Sequence, residues 1–424
     1  MRTLSRILPV LPCLGALLTG SAHAGELFLL GLVPQSFAID ASDDGRVVVG
    51  YDPLSYWYWT RETGVVQLIG TTIPPGSGVG GSAALTADGR ELMCQSLVGK
   101  EQKSEGTIYD IAFTTTETIG SYGFNCDISR SSAWGMSRNG RHVVGLAWEV
   151  GCEARAFHYD RQSSTLTNLG TLYFFNPSRA NAVSDDGRVI AGWNDDYGGY
   201  RQAAVWVRDE STGAYVQTNL VAPPPAGSTV GTKMREASVV SGNGQFVYGI
   251  GRSNWNNGAI WRWSASEGVV PMAPNPFGSV GYPVAANHDG SKVLCFFGVA
   301  GGLGAYLWSQ ERGYVRVNDL AAEAGVEVPE GWFLDWALGM SEDGLTIVGT
   351  AFGPNGTSPF VLDLRETPPV CTADFNGDGI VDAQDLATLL GQWGTFGGNA
   401  DLNGDFDIDA QDLAILLGEW DSCG

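Results

Sequence analysis

Residues Ser184–Gly192 read SDDGRVIAG, and copies of this stretch recur along most of the chain. The first clear copy is SDDGRVVVG at Ser42–Gly50. Five weaker copies centre on an Asp-Gly or Asn-Gly pair, at residues 88–89, 139–140, 243–244, 289–290 and 343–344. Such a pair between two apolar runs is the strongest short-range signal for a β-hairpin, because a type I′ turn needs a positive φ at both central residues. The sequence therefore predicts seven hairpins with type I′ turns.

The spacing of these hairpins indicates a repeat architecture. Their turn glycines lie 44, 51, 47, 57, 46 and 54 residues apart: Gly45, Gly89, Gly140, Gly187, Gly244, Gly290 and Gly344. Periods of this size are typical of propeller blades and other repeat arrays. Each period holds an apolar stretch, a Val-rich run after the turn, an aromatic strand such as Tyr56–Trp59, and a short last stretch that often ends in Leu-Gly or Ile-Gly. Four strands are the content of one propeller blade.

The two ends of the repeated region predict a closed ring. The seventh period stops after residues 360–364 without a fourth strand, whereas Leu27–Gly31 has the pattern of that strand ahead of the first period. Pairing between them would leave no open sheet edge. The expected fold is mainly β: a seven-bladed β-propeller-like domain over residues 25–364, followed by a small α-helical calcium module. An open β-solenoid or two β-sandwiches are the alternatives.

The repeat also resembles a known class. The pattern Ser-x-Asp-Gly-x-x-Val-Val-Gly, then Ala-Phe-x-Trp, then Leu-Gly is similar to the HAF-type extracellular repeats, and residues 317–349 match it most closely. The resemblance covers about residues 30–364 and implies a secreted propeller-like domain with no established chemistry. Two copies depart from the pattern, since ELMC at residues 91–94 replaces Val-Val-Gly and Asn287 stands where Ser is usual.

The net charge and the N-terminal sequence limit the expected partners and location of the protein. A formal net charge of −22 offers no basic patch for phosphates, so nucleic acid is excluded as an expected partner. Residues 1–24 predict a secretory signal: Arg2 and Arg6 precede the apolar residues 7–18, and Ala-His-Ala at 22–24 gives a cleavage pattern. No later apolar run reaches about 18 residues, so no membrane span is expected after signal removal. We expect a secreted, extracellular protein that can be attached to a cell surface.

The cysteines are interpreted through the repeats. Cys94 and Cys295 stand five residues after a turn glycine, where the other copies have Gly, and a buried Cys packs as a small apolar residue. They fall in different blades, so we expect both to stay reduced. Cys126 and Cys152 flank the hairpin of the third repeat, whose ends return to the same side. These two are predicted to pair.

No catalytic residue is predicted. The histidines His142, His158 and His288 lack metal-ligand spacing and are interpreted as structural or surface residues. Neither a Gly-x-Ser-x-Gly motif nor a phosphate loop is present. A glycan is a candidate partner, because aromatic and acidic residues assigned to variable loops would suit a sugar ring: Trp193, Asp195, Asp196, Tyr197 and Trp255.

The composition changes after a Pro-containing linker at residues 365–370. Residues 371–424 hold ten Asp and one Glu without Lys or Arg, which amounts to half of the net charge of −22. Two twelve-residue loops read DFNGDGIVDAQD (374–385) and DLNGDFDIDAQD (401–412). Both place oxygen ligands at positions 1, 3, 5, 9 and 12, as a calcium loop does. Hard oxygen ligands in this number select Ca²⁺ over transition metals.

The predicted calcium ligands include position 7 of each loop, which offers its backbone carbonyl. They are Asp374, Asn376, Asp378, Ile380, Asp382 and Asp385 in the first loop and Asp401, Asn403, Asp405, Asp407, Asp409 and Asp412 in the second. Position 6 is Gly379 in the first loop but Phe406 in the second. A phenylalanine pays a steric cost for a positive φ, so a weaker or distorted second site is expected.

Each loop leads into the same apolar helix pattern with spacing i, i+3, i+4, i+7: Leu386, Leu389, Leu390 and Trp393, then Leu413, Leu416, Leu417 and Trp420. Two loops 27 residues apart, each followed by one helix, resemble a type I dockerin, in the variant with Cys near the start and a terminal Cys-Gly. This resemblance covers nearly all of residues 371–424. It implies calcium-dependent docking onto a cohesin-like partner or a cell-surface scaffold, partner choice through the Ala-Gln pairs at loop positions 10 and 11, and a clasp between Cys371 and Cys423.

Two functions are compatible with these features. The leading hypothesis is a secreted, non-enzymatic recognition or structural propeller displayed through the dockerin. The competing hypothesis is a polysaccharide-degrading enzyme, either a glycoside hydrolase or a lyase, because dockerins commonly carry such catalytic domains. Glycoside hydrolysis needs two carboxylates about 5–10 Å apart. Paired, partly buried carboxylates at one mouth of the ring would favour the enzyme.

Overall fold

The computed structural model describes residues 25–31, 35–68, 71, 82–123, 129–173, 175–224, 227–299, 302–365, 372–377 and 380–420. The predicted signal peptide, residues 366–370 of the linker, and the residues Cys126, Cys371, Asp378, Gly379 and Cys423 lie outside these ranges. By its internal contacts the chain divides into two compact units, Gly25–Arg365 and a second one that contains Glu366–Gly424.

The described part of the larger unit contains seven four-stranded antiparallel sheets, six of which follow the chain order. The strands of the first three sheets are β2 (Phe37–Ala41), β3 (Val47–Tyr51), β4 (Tyr56–Thr60) and β5 (Gly64–Gln67); β6 (Ala84–Leu85), β7 (Glu91–Val98), β8 (Lys103–Asp110) and β9 (Thr115–Thr118); β10 (Ser131–Met136), β11 (His142–Glu149), β12 (Glu153–Asp160) and β13 (Thr165–Gly170). The next three contain β14 (Ser178–Val183), β15 (Val189–Asp195), β16 (Arg201–Arg208) and β17 (Tyr215–Asn219); β20 (Glu236–Val240), β21 (Val247–Ile250), β22 (Trp261–Ser264) and β23 (Gly268–Pro271); β24 (Gly281–Ala286), β25 (Lys292–Val299), β26 (Gly302–Ser309) and β27 (Gly313–Arg316).

The seventh sheet joins the two ends of the repeated region. Its strands β28 (Phe333–Met340), β29 (Thr346–Gly353) and β30 (Gly356–Asp363) are completed by the N-terminal strand β1 (Glu26–Leu29). In the pair of β1 with β30, Glu26 lies opposite Asp363 and Leu29 opposite Phe360. The predicted closure is confirmed, and the unit is a seven-bladed β-propeller.

Three short elements lie outside the four-stranded sheets. A small hairpin of β18 (Val221–Ala222) and β19 (Thr232–Lys233) precedes blade five, and a 3₁₀ turn (Asn256–Gly258) lies between β21 and β22. Helix α1 (Val317–Glu323) follows blade six and buries Val317 and Leu320 against the last two blades.

The motif turns differ from the prediction. Gly45 has a φ of 72°, but Asp44 is not among the described residues with a positive φ. The N–H of Gly45 donates to the carbonyl of Ser42 at 2.9 Å, which is the closure of a type I turn with Gly at its fourth position. The type I′ prediction is therefore wrong. The Ser42 hydroxyl donates to Asp44 Oδ1 at 2.7 Å, and that oxygen also accepts from the N–H of Arg46 at 3.0 Å, so the side chains of the motif hold the turn.

The position five residues after each turn glycine accepts only a small residue. A Cβ on Gly50 would lie 2.1 Å from the carbonyl oxygen of Phe37 and 2.2 Å from the ring of Trp57. Cys94 and Cys295 replace this glycine in blades two and six, where both are fully buried and free, as predicted. The aromatic strand explains the small residue, because Trp57 lies directly opposite Gly50 and its ring fills the space above it.

The hydrophobic core lies between neighbouring blades. Between blades two and three, for example, Met93 and Ile108 pack with Ala133, Val143 and Phe157. A single blade cannot bury such a face by itself, so the stability of each blade depends on its neighbours.

The smaller unit contains helices α2 (Ala383–Gly391) and α3 (Ala410–Gly418), one after each acidic loop. Its fully buried core consists of Ala373, Val381, Leu389, Ala400, Ile408 and Leu416. The next leucine of each predicted apolar face is exposed, with 53% of Leu390 and 54% of Leu417 accessible. No helix in the described ranges is both long and apolar enough to cross a bilayer.

Candidate functional site

One strand of each blade, called here its inner strand, lines a central cavity of about 470 Å³. The inner strands are β2, β6, β10, β14, β20, β24 and β28. Every inner strand begins at one mouth of this channel and ends in its motif turn at the other. We call the first the entry mouth and the second the turn mouth. The two mouths carry different side chains, and both are candidate sites.

The rim of the turn mouth is formed by the second, variable residue of each motif copy: Asp43, Ala87, Arg138, Asp185, Gly242, His288 and Glu342. Backbone bonds join neighbouring blades here, from Asp43 N–H to the Ala87 carbonyl (2.8 Å) and from Ala87 N–H to the Arg138 carbonyl (2.7 Å). Sequence reasoning missed this ring, because it singled out the recurrent Ser, Asp and Gly. The signal was the variable position itself, which is charged or His in five of the seven copies.

Arg138 ties two carboxylates together at the turn mouth. Its Nη1 lies 3.2 Å from Asp40 Oδ2, and its Nε lies 3.0 Å from Asp43 Oδ1. Asp40 Oδ2 also accepts from the N–H of Leu85 at 2.8 Å. Burial raises the pKa of Asp40, although the Arg138 guanidinium and the backbone N–H groups oppose that rise. Arg138 therefore neutralises part of the negative charge of Asp40 and Asp43.

On the far side of this rim, His288 joins two further acids. Its Nδ1 lies 3.0 Å from Asp185 Oδ2, and its backbone N–H donates to Glu342 Oε1 at 2.6 Å. Burial raises the pKa of Glu342. His288 thus lies beside a turn, as expected, and its backbone N–H helps to hold the rim through the bond to Glu342.

Two arginines share one carboxylate at the entry mouth. Glu236 accepts from Arg179 Nη2 at 3.0 Å and from Arg201 Nη1 at 2.9 Å. The guanidinium carbon of Arg179 lies 3.7 Å from the ring centroid of Trp134, and that of Arg201 lies 4.2 Å from Trp193, so both cations stack on indoles. Glu236 is thus shared between the two guanidinium groups, and Arg201 also interacts electrostatically with Asp195.

The predicted sugar-binding loop is not assembled as expected. Trp193 and Asp195 lie in β15 and not in a loop, because that strand continues until Asp195 pairs with Arg201. Asp196 is buried and forms an ion pair with Lys233 at 2.8 Å. Trp255 packs against the core between blades four and five. Tyr197 alone among the five extends into solvent, with 93% of its surface exposed.

His142 and His158 form a buried pair. Their Nδ1 and Nε2 atoms lie 3.0 Å apart, and their rings stack with centroids 5.1 Å apart. Burial lowers the pKa of both imidazoles, and that of His158 falls to about 4 because His142 adds to the effect. This arrangement agrees with the structural role predicted for both residues.

The second acidic loop is described throughout. Phe406 has a φ of 73°, the left-handed conformation that a glycine adopts most easily. Asp401 accepts from the N–H groups of Gly404 (2.8 Å) and Phe406 (2.9 Å). Asp412, fully buried, accepts from the N–H groups of Leu402 (2.7 Å) and Asp409 (2.8 Å). Burial by itself would raise the pKa of Asp412, but these backbone N–H donors outweigh it, so the pKa is lowered.

The first loop repeats this bonding where it is described. Asp374 accepts from the N–H of Gly377 at 2.8 Å, and the buried Asp385 accepts from Phe375 at 2.8 Å and from Asp382 at 3.0 Å. Asp382 and Asp409 cap the two helices through reciprocal bonds with position 12.

The all-oxygen donor set of the loops fits Ca²⁺ in its chemistry. Among the described residues, however, no group of three or more His, Cys, Asp or Glu side chains is placed to hold a metal ion. The position-1 and position-12 carboxylates accept backbone N–H groups in both loops. The predicted ligand set therefore stays a prediction, including Asp378 outside the described ranges.

No protein-family model matches the sequence, and no curated protein sequence matches it. Several solved structures show a distant likeness. The β-propeller domain of the Trilobed protease from Pyrococcus furiosus is 9% identical, with a TM-score of 0.49 over 78% of this chain and 97% of that one. An oligogalacturonate lyase in complex with manganese is 13% identical, with a TM-score of 0.48 over 80% and 93%. TolB from Acinetobacter baumannii is 12% identical, with a TM-score of 0.37 over 78% and 63%. Likeness at this level concerns the fold alone.

Proposed function

We propose that this protein is a secreted, non-enzymatic recognition or structural β-propeller, attached through a calcium-binding dockerin-like module to a cohesin-like or cell-surface scaffold. The observation that carries the proposal is the internal duplication of the smaller unit. Leu390 and Leu417 occupy equivalent places on α2 and α3, and both are about half exposed. An apolar side chain left exposed at the same place in two copies supports a docking role for each helix.

The polar residues at the start of each helix support the same role. The Ala-Gln pairs at residues 383–384 and 410–411 are exposed in both halves. Each half therefore presents the same short surface of Gln and Leu side chains. A scaffold module that recognises this surface can dock onto either half.

Calcium enters the proposal through the loops that precede these helices. When bound, Ca²⁺ would neutralise carboxylates that otherwise repel one another. The residues proposed to hold it are the twelve predicted ligands of positions 1, 3, 5, 7, 9 and 12. The position-12 residues Asp385 and Asp412 already join the beginning of each loop to its helix, which supports coupling between metal binding and helix orientation.

The attachment is tested by binding of the full chain to a panel of purified type I cohesin modules, with calcium and with chelator. We expect calcium-dependent binding. The single variants Leu390→Asp and Leu417→Asp each retain it, because the other half docks, whereas the double variant loses at least tenfold in affinity. Leu54→Asp, at an exposed propeller loop, is the matched control. Binding that persists in chelator, or in the double variant, contradicts the proposal.

A polysaccharide-degrading enzyme is the second candidate, and one observation favours it. Asp40 and Asp43 lie at the same mouth on one guanidinium, and the pKa of Asp40 is raised, as for an acid catalyst. The discriminating measurement is the release of reducing ends from a polysaccharide panel. Under the leading proposal none is released; activity that Asp40→Asn abolishes, with the fold intact, would establish the enzyme instead.

A further inference from the structure

We propose that the entry mouth of the channel binds a ring-shaped carboxylate of the uronic-acid class, with Arg179 as the group that holds the carboxylate. The inference deepens the recognition role proposed above, on which it rests. It assigns a site and an anionic ligand class to the propeller of a chain whose net charge of −22 would by itself suggest cations.

The first step is the local charge. Arg179 and Glu236 are both 8% exposed, and Glu236 is shared with Arg201. A buried cation that shares its carboxylate partner with a second cation is costly, and an anionic ligand at Arg179 would relieve that cost. Burial indeed lowers the pKa of Arg179 to about 10, with Arg201 adding to the effect against Glu236, so the group is still charged at neutral pH.

The second step is the free donor. Arg179 lines the cavity, and its Nε and Nη2 donate to Asn181 Oδ1 (2.8 Å) and Glu236 Oε1 (3.0 Å). Its Nη1 has no acceptor in the part of the chain that the structure describes. Asn181 is itself oriented by bonds from its Nδ2 to Glu236 (3.0 Å) and to the Ala237 carbonyl (2.8 Å). The guanidinium is thus held in place before any ligand arrives, which lowers the entropy cost of binding.

The third step is the wall of the cavity. Phe37, Trp134 and Trp336 line it together with Arg179, and all three are only partly buried. Phe37 and Trp336 pack edge to face with centroids 5.3 Å apart. Aromatic walls with a few fixed polar groups are typical of sites for small ring-bearing ligands. The cavity volume of about 470 Å³ lies within the usual range for such sites, roughly 300–1,000 Å³.

The fourth step is the direction of the ligand. The turn mouth of the same cavity carries Asp40, Asp185 and Glu342 against Arg138, so it repels a carboxylate. At the entry mouth, Arg179 attracts one. A uronic acid would therefore lie with its carboxylate at Arg179 and its ring towards the aromatic wall.

Isothermal titration calorimetry of the full chain tests the site with glucuronate, glucose, benzoate and inorganic phosphate as probes. We expect glucuronate to bind at least tenfold more tightly than glucose, which lacks the charge, and than phosphate, which lacks the ring. Equal binding of glucuronate and glucose overturns the role of Arg179. Tighter binding of phosphate or benzoate overturns the ligand class, and no binding of any probe overturns the site.

Variants separate binding from folding. Arg179→Gln should weaken glucuronate binding at least tenfold. Arg179→Lys should weaken it less, because lysine keeps the positive charge, although it loses the two parallel N–H donors of the guanidinium group. Glu236→Gln removes the counter-charge and keeps one amide oxygen as acceptor, so it should tighten binding severalfold. Arg312→Gln, an exposed arginine paired with Glu323, is the control and should change nothing. If Arg179→Gln fails to fold, the other two variants still test the site, because Arg179→Lys should weaken glucuronate binding and Glu236→Gln should tighten it.

The same preparation should be assayed for calcium-dependent cohesin binding. If glucuronate binding is absent while cohesin binding persists, the entry-mouth site is wrong and the attachment stands. If cohesin binding is absent while glucuronate binds through Arg179, the attachment is wrong and the propeller still has this ligand.

Discussion

Gly31 donates its backbone N–H to the side-chain hydroxyl of Ser358 at 3.0 Å, across a separation of 327 residues. This bond lies beside the pairing of β1 with β30, which closes the propeller. The ring is therefore held at one seam by the first residues of the described chain. Leu27 and Leu29 of β1 pack against the core of the last blade.

Removal of residues 25–31 should destabilise the whole propeller, because the last blade loses its outer strand and its core loses apolar cover. We expect the free energy of unfolding to fall by at least about 2 kcal/mol, the lower end of the cost of deleting a large buried side chain. The loss is measured as a lower midpoint of denaturant unfolding. Leu54→Ser, at a side chain that is 77% exposed, is the control. Equal midpoints for the truncated and full propeller would refute closure as the source of stability.

The pair of His142 and His158 predicts a pH dependence of stability. Burial holds the pKa of His158 at about 4, below the usual 6.5, so the unfolded chain binds more protons than the folded one between these values. The stability contributed by the neutral pair is complete above about pH 6.5 and is lost as the pH falls towards 4, on the order of 3 kcal/mol from His158.

His158→Phe removes this titration, so its unfolding free energy should fall less than that of the natural chain between pH 6.5 and 4.5. Chemical denaturation at several pH values measures the slopes. His288→Asn, at a histidine outside the pair, should keep the steeper slope. Parallel slopes for His158→Phe and the natural chain would exclude the pair as the cause.

The cysteines should divide into two classes. Burial raises the pKa of the Cys94 thiol to about 12 and raises that of Cys295 as well, so both should resist thiol reagents in the folded protein and react only after denaturation. Peptide mapping without reduction should find Cys126 linked to Cys152 and Cys371 linked to Cys423. A cross-link at Cys94 or Cys295 would contradict their burial.

Calcium should fold the smaller unit. The isolated residues 366–424 should gain helix on addition of Ca²⁺ and lose it with chelator, as measured by circular dichroism, because the ion binds only the folded form. Asp374→Ala and Asp385→Ala should weaken this most. Full helicity in chelator would rule out a calcium-folded module.

The second loop allows a finer comparison. Phe406→Gly should strengthen calcium binding there, because it removes the strain of a φ of 73°, on the order of 1 kcal/mol. Phe406 also stacks on Phe396, with ring centroids 5.6 Å apart. Phe396→Ala removes that contact alone, so it is the control: if it matches Phe406→Gly in effect, the aromatic contact and not the backbone accounts for the change.

The sequence by itself determined the architecture of the propeller. Seven copies of one turn motif, a period near one blade, and a displaced strand at Leu27–Gly31 were enough for the ring and its closure, because each of these signals is local and is repeated. It also located the small-residue position of Gly50 and its cysteine replacements. The turn type was missed, because the bonds of Ser42 and Asp44 within the turn outweigh the backbone preference of the Asp-Gly pair.

Only the tertiary structure decided what the mouths of the channel contain. Arg179, Arg201 and Glu236 come from different strands and different parts of the chain, and no local pattern relates them. Trp193, which the sequence placed in a loop, is buried under two of these cations. The physical reason is that a repeat specifies the strands which pair within each blade, whereas side chains at the axis meet only when all seven blades have closed around it.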